Sequence, residues 1–161
     1  MRSKIGIGII LGVFAVSCAE KESNPFFTDF ETPFGVPPFD LIQAEHYLPG
    51  FAEGIREQSE EVAAIVSNPE PPTFANTIEA LEESGSLLTK VRRIFFNMTS
   101  ADTNDALQEI AKEVAPMLSK HRDDILLNSV LFSRIEAVYE QKDSLELSPE
   151  EATLLLEKYK D

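Results

Sequence analysis

The sequence predicts an all-α fold, and three observations support this prediction. Across residues 40–161, apolar side chains recur at spacings of three, four and seven, which places them on one face of a helix. Proline-rich or polar segments that end and cap helices interrupt this period around residues 68–72, 100–105, 128–129 and 148–149. No segment alternates apolar and polar residues in the manner of a half-buried strand.

Length and charge limit the classes of function. The chain has 161 residues, which is enough for about one domain. Its formal net charge is −14, so it lacks the clustered basic surface that nucleic-acid binding requires, and we expect no nucleic-acid partner. The acidic residues do not form one long block, and this pattern is typical of solvated helical surfaces.

The N-terminus has the pattern of an export signal. Arg2 and Lys4 precede an apolar run over residues 5–16, which is too short to span a bilayer. Small residues lead into Cys18, the only cysteine, and this resembles a bacterial lipobox, with Ala15 at the position where leucine is commonest. We therefore expect residues 1–17 to be a signal peptide and Cys18 to be lipidated. The protein would then be exported and anchored to a bacterial membrane, on its periplasmic or cell-surface side.

Two other interpretations of this N-terminus remain open. It could be a plain secretory signal with an incidental cysteine, or an uncleaved membrane anchor. A single lipid chain holds a protein only marginally, whereas several acyl chains on one residue give stable attachment.

Residues 18–38 are predicted to be a tether followed by an extended strap. Regular helix is excluded there by four prolines: Pro25, Pro33, Pro37 and Pro38. Five phenylalanines are spread along this segment and just after it: Phe26, Phe27, Phe30, Phe34 and Phe39. We expect them to fasten the strap across the helical body by burying aromatic area. The alternative is a patch that binds a peptide or a partner.

The first helix is predicted to follow Asp40, within a helical region over residues 39–161. Its apolar face consists of Leu48, Phe51, Ile55, Val62, Ile65 and Val66. Pro49 fits the first turn of a helix, where its missing N–H costs nothing. The prolines of residues 68–72 end this helix.

A second helix is predicted after this proline corner, where Thr73 or Asn76 can cap it and Phe74 can pack beneath. Its apolar face consists of Ile78, Leu81, Leu87, Leu88, Val91, Ile94 and Phe95. Gly85 lies inside the run and allows either a break or a kink. We expect a kink, because the period resumes on a compatible face.

Three further helices are predicted. The first follows a capping turn at residues 100–105, and we expect Pro116 to kink it. Its apolar face consists of Leu107, Ile110, Val114, Met117, Leu118 and Ile125. The second begins at residues 128–129 with Leu131, Ile135, Val138 and Tyr139 inward. The third begins at Ser148 with a capping box. Its leucines, Leu154, Leu155 and Leu156, form a face that needs a partner, which suggests the front of a longer protein.

No catalytic or metal-binding residue is predicted in this chain. His46 lies near a helix start, where capping or packing explains it, and His121 lies among charged residues on an apparently solvated face. Neither histidine belongs to a His-Glu-x-x-His helix, and catalytic zinc normally needs three converging ligands. The adjacent carboxylates, such as Glu60 and Glu61, point about 100° apart on a helix, so they do not form acid–base pairs.

Four blocks of the sequence carry a resemblance to a known family. They are PPFDLIQAEHYLPGFAEGI from Pro37 to Ile55, NPEPPTFANTIEALEESGSLL from Asn68 to Leu88, FFNMTSADTNDALQEI from Phe95 to Ile110, and VAPMLSKHRDDILLN from Val114 to Asn128. In this order they resemble the N-terminal helical region of the thimet-oligopeptidase-like zinc metallopeptidases. The branch they resemble most is the peptidyl-dipeptidase, or dipeptidyl carboxypeptidase, branch. The resemblance runs from about Asn24 to Asp161.

The resemblance implies that the chain is the truncated N-terminal part of a larger, mostly helical, two-lobed peptidase that removes C-terminal dipeptides. Residues 39–161 would wall a deep channel that admits short unfolded peptides. The family's zinc site is a His-Glu-x-x-His helix with a downstream glutamate, and it lies C-terminal to this region. The implied zinc therefore belongs to the longer parent protein, and no catalytic or metal residue carries over. The implied partners are short peptides and the C-terminal remainder.

Two alternative functions remain open. The parent protein could belong to the oligopeptidase branch, which cuts inside peptides. The chain could also be an autonomous helical lipoprotein that binds peptides or a partner without catalysis. The reading frame beyond Asp161 distinguishes the second alternative from a peptidase.

Overall fold

A computed structural model describes residues 24–160, so the predicted signal peptide and Cys18 lie outside the described residues. The helices are α1 (Ala44–Ser67), α2 (Ala80–Glu83), α3 (Ser86–Ala101), α4 (Asp105–Leu126), α5 (Ser129–Glu140) and α6 (Pro149–Lys160). A π-helical turn over Phe74–Glu79 leads into α2, and short 3₁₀ turns cover Pro25–Phe27, Pro33–Gly35 and Lys142–Ser144. Residues 24–160 contain no strand, which confirms the all-α prediction. None of these helices is long and apolar enough to cross a membrane.

Helix α1 is the axis of the molecule, because α3, α4 and α5 all pack against it. Two apolar clusters lie along its length. The cluster at its N-terminal half is centred on Phe26, Phe51, Val91, Phe95 and Val114. The cluster at its C-terminal half is centred on Ile65, Ile78, Ile135, Val138 and Leu155. The apolar faces predicted from the helical period are therefore the faces that these clusters bury.

Gly54 sets the distance between α1 and α3. A methyl group added at this position would lie 2.8 Å from both the Cα and the backbone nitrogen of Leu88. Because backbone atoms cannot move aside as a flexible side chain can, only glycine permits this close approach. Gly50, one turn earlier, faces side chains instead, with Phe26 at 3.1 Å and Val91 at 3.2 Å from the same added atom.

The start of α1 differs in part from the prediction. Gln43 caps the helix, and Pro49 lies in the second turn instead of the first. Pro49 therefore removes a hydrogen bond from within the helix. The flanking residues Tyr47, Gly50 and Phe51 are buried, so tertiary packing holds the helix through the proline. In the same way α4 is one continuous element that includes Pro116.

The proline corner after α1 is capped as predicted. The Thr73 hydroxyl accepts a hydrogen bond from the Asn76 N–H at 3.1 Å, and the Asn76 side-chain oxygen accepts one from the Thr73 N–H at 2.8 Å. Phe74 is partly buried against the second apolar cluster. Both residues named as candidate caps thus act together in one capping box.

Arg134 of α5 holds this corner from inside, which the sequence analysis did not predict. The side chain is buried, and its guanidinium donates to the main-chain carbonyl oxygens of Asn68 at 3.0 Å and Glu70 at 3.3 Å. It also donates to the Asn76 side-chain oxygen at 3.3 Å. A single cation therefore satisfies carbonyl groups that the end of α1 and the prolines leave without helical partners.

Gly85 breaks the predicted second helix, so the expectation of a kink was wrong. Its backbone is left-handed, with φ at +74°, and α2 ends before it while α3 begins after it. The Gly85 N–H donates to a carboxylate oxygen of Glu61 at 2.7 Å. The left-handed conformation favours glycine, and an added Cβ would also lie 2.5 Å from the end of the Gln58 side chain, which would have to move.

The strap is fastened mainly by one phenylalanine. Phe26 is fully buried, and Lys90 donates to its carbonyl oxygen at 3.1 Å while lying over the Phe30 ring. Phe27, Phe34 and Phe39 are about half exposed or more, so the expectation that all five rings fasten the strap was wrong. Phe34 is completely exposed because it occupies a left-handed position, with φ at +62°, in the turn Pro33–Gly35.

Helix α6 begins as predicted but packs differently. The Ser148 N–H donates to Glu151 at 2.7 Å, and the Glu151 N–H donates to the Ser148 hydroxyl at 3.2 Å. Leu155 is only 1% exposed within the second cluster, and Leu154 packs against that cluster. The expectation that this face needs a partner from outside the chain was therefore wrong for Leu154 and Leu155, because α5 packs against α6.

Candidate functional site

His121 of α4 is buried, so the prediction of a solvated face was wrong. It is 6% exposed, its Nε2 lies 2.8 Å from the Gln58 side-chain oxygen, and its Nδ1 lies 3.5 Å from the Ser59 hydroxyl. Leu107, Val114 and His121 are spaced by seven and all face α1. This spacing is the signal in the sequence that could have placed His121 on the buried face.

The hydrogen bonds of Gln58 determine which tautomer the His121 ring adopts. The Gln58 side-chain nitrogen donates to the Ser84 hydroxyl at 3.2 Å, which leaves the Gln58 oxygen to accept a hydrogen bond from the His121 Nε2–H group. Burial lowers the pKa of His121, while the nearby Asp124 carboxylate opposes this effect and Lys120 adds to it. His121 therefore serves as a neutral link between α1, α4 and the turn before α3.

His46 has the capping role that the sequence predicted. Its Nδ1 accepts a hydrogen bond from the Gln43 N–H at 2.9 Å, which closes the capping box at the start of α1. The two histidines thus lie on different helices and have different structural partners. Within residues 24–160, no three His, Cys, Asp or Glu side chains form a group that could hold a metal ion.

The adjacent carboxylates bind different partners. Glu60 pairs with Arg56 at 2.6 Å, whereas Glu61 accepts the Gly85 N–H. Glu82 pairs with Lys158 of α6 at 2.7 Å. Since neighbouring carboxylates diverge in this way, they do not form the close pairs that acid–base catalysis uses.

A groove lies between α3 and α4, above Gln58 of α1. It encloses about 460 Å³, a volume within the usual range of ligand sites. Arg92 borders it on the α3 side, and Arg122 and Asp123 border it on the α4 side. Its apolar lining is contributed by Leu88, Leu118, Ile125 and Leu126. This groove combines cationic and apolar groups, so it can bind a ligand that has both an anionic and an apolar part.

Two other depressions are less suited to a ligand. One, of about 500 Å³, lies between α1 and α2 and is bordered by Glu61 and Glu83. The other, of about 170 Å³, lies beside Leu126 and Phe132, close to the exposed Leu127 at the junction of α4 and α5. The groove between α3 and α4 is therefore the candidate functional site, and its chemistry is binding.

Comparisons with curated proteins give close relatives. The chain is 45% identical over 132 residues to dipeptidyl carboxypeptidase of Escherichia coli (strain K12), an alignment that covers 82% of this chain and 19% of that protein. It is 44% identical over 133 residues to dipeptidyl carboxypeptidase of Salmonella typhimurium, covering 83% of this chain and 20% of that protein.

A more distant relative carries a different name. The chain is 28% identical over 99 residues to oligopeptidase A of Escherichia coli (strain K12), covering 62% of this chain and 14% of that protein. No family model matches the chain. The chain spans about one fifth of the length of the dipeptidyl carboxypeptidases that it matches.

Proposed function

Because this chain belongs to the family of the dipeptidyl carboxypeptidases, we propose that it is the N-terminal part of a longer zinc peptidase that removes C-terminal dipeptides from short peptides. The observation that carries this proposal is the identity of 44–45% to two proteins of that name, over more than four fifths of the chain. The order of the sequence blocks that resemble the family supports a position at the N-terminus of such a protein.

In this proposal the chain lines the substrate channel and binds substrate, and the reaction takes place in the remainder of the longer protein. The described residues do not fit a zinc site, because His46 caps α1 and His121 is bonded to Gln58 inside the helix packing. Zinc and the catalytic residues therefore belong to the remainder of the longer protein. That remainder and short peptides are the partners that we propose.

The packing of the described helices suits them to form one wall of a substrate channel. α1 extends over 24 residues, and α3, α4 and α5 are packed along it without a long loop among the described helices. A rigid helical wall restricts a channel to extended, unfolded peptides, since a folded domain is far wider than a single chain. The groove between α3 and α4 carries cationic and apolar side chains that suit the end of a peptide.

Oligopeptidase activity is the second candidate. It is favoured by the similarity to oligopeptidase A, which is lower in identity and in coverage than the similarity to the two dipeptidyl carboxypeptidases. The two activities differ in whether cleavage requires a free C-terminus close to the cut.

The reading frame downstream of Asp161 tests the proposal that this chain is part of a zinc peptidase. We expect an open frame of several hundred codons that includes a His-Glu-x-x-His motif, which supplies two zinc ligands and a base on one helix face. Sequencing the genomic locus on the 3′ side provides the measurement. A natural stop codon directly after Asp161 would instead favour an autonomous helical lipoprotein.

We also propose that the protein is exported and anchored through Cys18. Cys18→Ser should abolish incorporation of a fatty acid, because the modified thiol is the attachment point for lipid. Metabolic labelling with a radioactive fatty acid, followed by immunoprecipitation, measures this. The parent protein provides the matched control, and equal label in both proteins would refute lipidation at this residue.

A further inference from the structure

Three arginines have no partner among the described residues. The side chains of Arg92, Arg93 and Arg122 make no ion pair or hydrogen bond with any residue of the range 24–160. The other cations of this part of the chain mostly have partners: Arg56 with Glu53 and Glu60, Lys112 with Glu109, Lys120 with Asp124, Lys158 with Glu82, and Lys90 and Arg134 with main-chain carbonyl oxygens. The three arginines are therefore available to an external anion.

Two of these arginines border the same groove. Arg92 comes from α3 and Arg122 from α4, on opposite sides of the space above Gln58. Arg93 and Arg92 also border an adjoining depression beside Phe96. Positive charge is thus concentrated at this place on a chain whose formal net charge is −14.

Local charge decides what binds in the groove. The Debye length is about 8 Å at physiological ionic strength, so distant acidic residues act only weakly on an anion between the two arginines. Within the groove, Asp123 offsets one of the two positive charges. A small monoanion is accommodated under these conditions, whereas a long polyanion would also meet the acidic surface beyond the groove.

The shape of the groove adds a second requirement. A guanidinium presents a planar fork of N–H donors that matches the two oxygens of a carboxylate. Next to the arginines, Leu88, Leu118 and Ile125 offer an apolar lining for a side chain. A peptide C-terminus combines one carboxylate with an adjacent side chain, so it satisfies both requirements.

We propose that the groove between α3 and α4 binds the C-terminal carboxylate of a short peptide, with Arg92 and Arg122 as the partners of that carboxylate. The choice of a peptide as the ligand rests on the proposed function. The terminal side chain lies against the apolar lining, and the groove retains or orients peptides that have a free C-terminus.

The test is a titration of the full chain, labelled with ¹⁵N and observed by nuclear magnetic resonance. The probes are N-acetyl-alanyl-alanyl-leucine as the free acid and as the C-terminal amide. We expect saturable shifts at the Arg92 and Arg122 side-chain N–H groups and at the His121 ring with the free acid, and much weaker shifts with the amide. The double variant Arg92→Gln, Arg122→Gln should bind the free acid at least about tenfold more weakly, since it loses two charge-assisted contacts.

Arg56→Gln is the matched control, because Arg56 is an exposed arginine of α1 that is paired with Glu53 and Glu60 outside the groove. It should leave the affinity for the free acid unchanged. Both arginines of the double variant lie on exposed positions, so folding is expected to persist and is checked by circular dichroism. Equal binding of acid and amide, an equal effect of the control, or no saturable shift would each overturn the proposal.

Failure of this inference can be distinguished from failure of the proposed function. In the longer protein, the double variant should raise KM for free-acid peptides while kcat changes little. An active peptidase whose KM is unaffected by the double variant would refute carboxylate binding in the groove, but it would not contradict the proposed function. An inactive longer protein whose groove still binds the free acid would refute the proposed peptidase activity, but it would support carboxylate binding in the groove.

Discussion

Gly54→Ala is expected to lower the free energy of unfolding by about 1–2 kcal/mol, although alanine is the better helix former. The new methyl group would meet the backbone of Leu88 at 2.8 Å, and α1 and α3 would have to move apart. Overpacking of this kind costs about 1–3 kcal/mol or more, and the gain in helix propensity of about 1 kcal/mol offsets only part of it. Urea denaturation followed by circular dichroism measures the difference.

Gly50→Ala is the matched control for this prediction. It is the same substitution one helical turn earlier, but its neighbours are the side chains of Phe26 and Val91, which would have to shift by only a few tenths of an ångström. We therefore expect Gly50→Ala to change the free energy of unfolding much less than Gly54→Ala. Equal effects of the two substitutions, or stabilisation by Gly54→Ala, would show that backbone contact does not set the spacing of α1 and α3.

Local signals in the sequence predicted the helix ends well. The side chains of Thr73, Asn104, Asn128 and Ser148 all accept hydrogen bonds from the first turn of a helix, as their positions before apolar-periodic segments indicate. The buried faces were also predictable, because the helical period is a property of each helix alone. These features depend on residues within one turn of each other, so a single sequence contains them.

Features that depend on contacts between helices were missed. The burial of His121 depends on Gln58, which lies 63 positions earlier in the chain, and the role of Arg134 depends on carbonyl groups of the proline corner. The break at Gly85 was not predicted, because its left-handed φ and its contact with the Gln58 side chain are not visible in the local pattern. Similarly, Leu155 of α6 packs against α5, and this contact between two helices cannot be seen in the sequence of α6.

The same limit applies to the candidate site. The sequence did not bring Arg92 and Arg122 together, since they are thirty positions apart on different helices. The groove exists because both helices pack on α1 around Gln58. Its cationic character depends on Arg92 and Arg122 having no side-chain partner while most other basic side chains of residues 24–160 have one.

Cleavage of C-terminal dipeptides by the longer protein is the second large effect that we expect. The family assignment concerns a chain that spans about one fifth of its relatives, so the activity must be measured on the product of the complete reading frame. Removal of zinc with a chelator should abolish the activity, and added zinc should restore it. This chain alone should show no cleavage, because its two histidines have structural roles on separate helices.

The most direct test of the proposed function is mass spectrometry of the products that the longer protein releases from one peptide with a free C-terminus and from its C-terminally amidated counterpart. We expect free dipeptides from the first peptide, little cleavage of the second, and loss of both reactions when zinc is chelated. Internal cuts in both peptides would assign the protein to the oligopeptidase branch. Cleavage that resists chelation, or no cleavage with zinc supplied, would contradict the account.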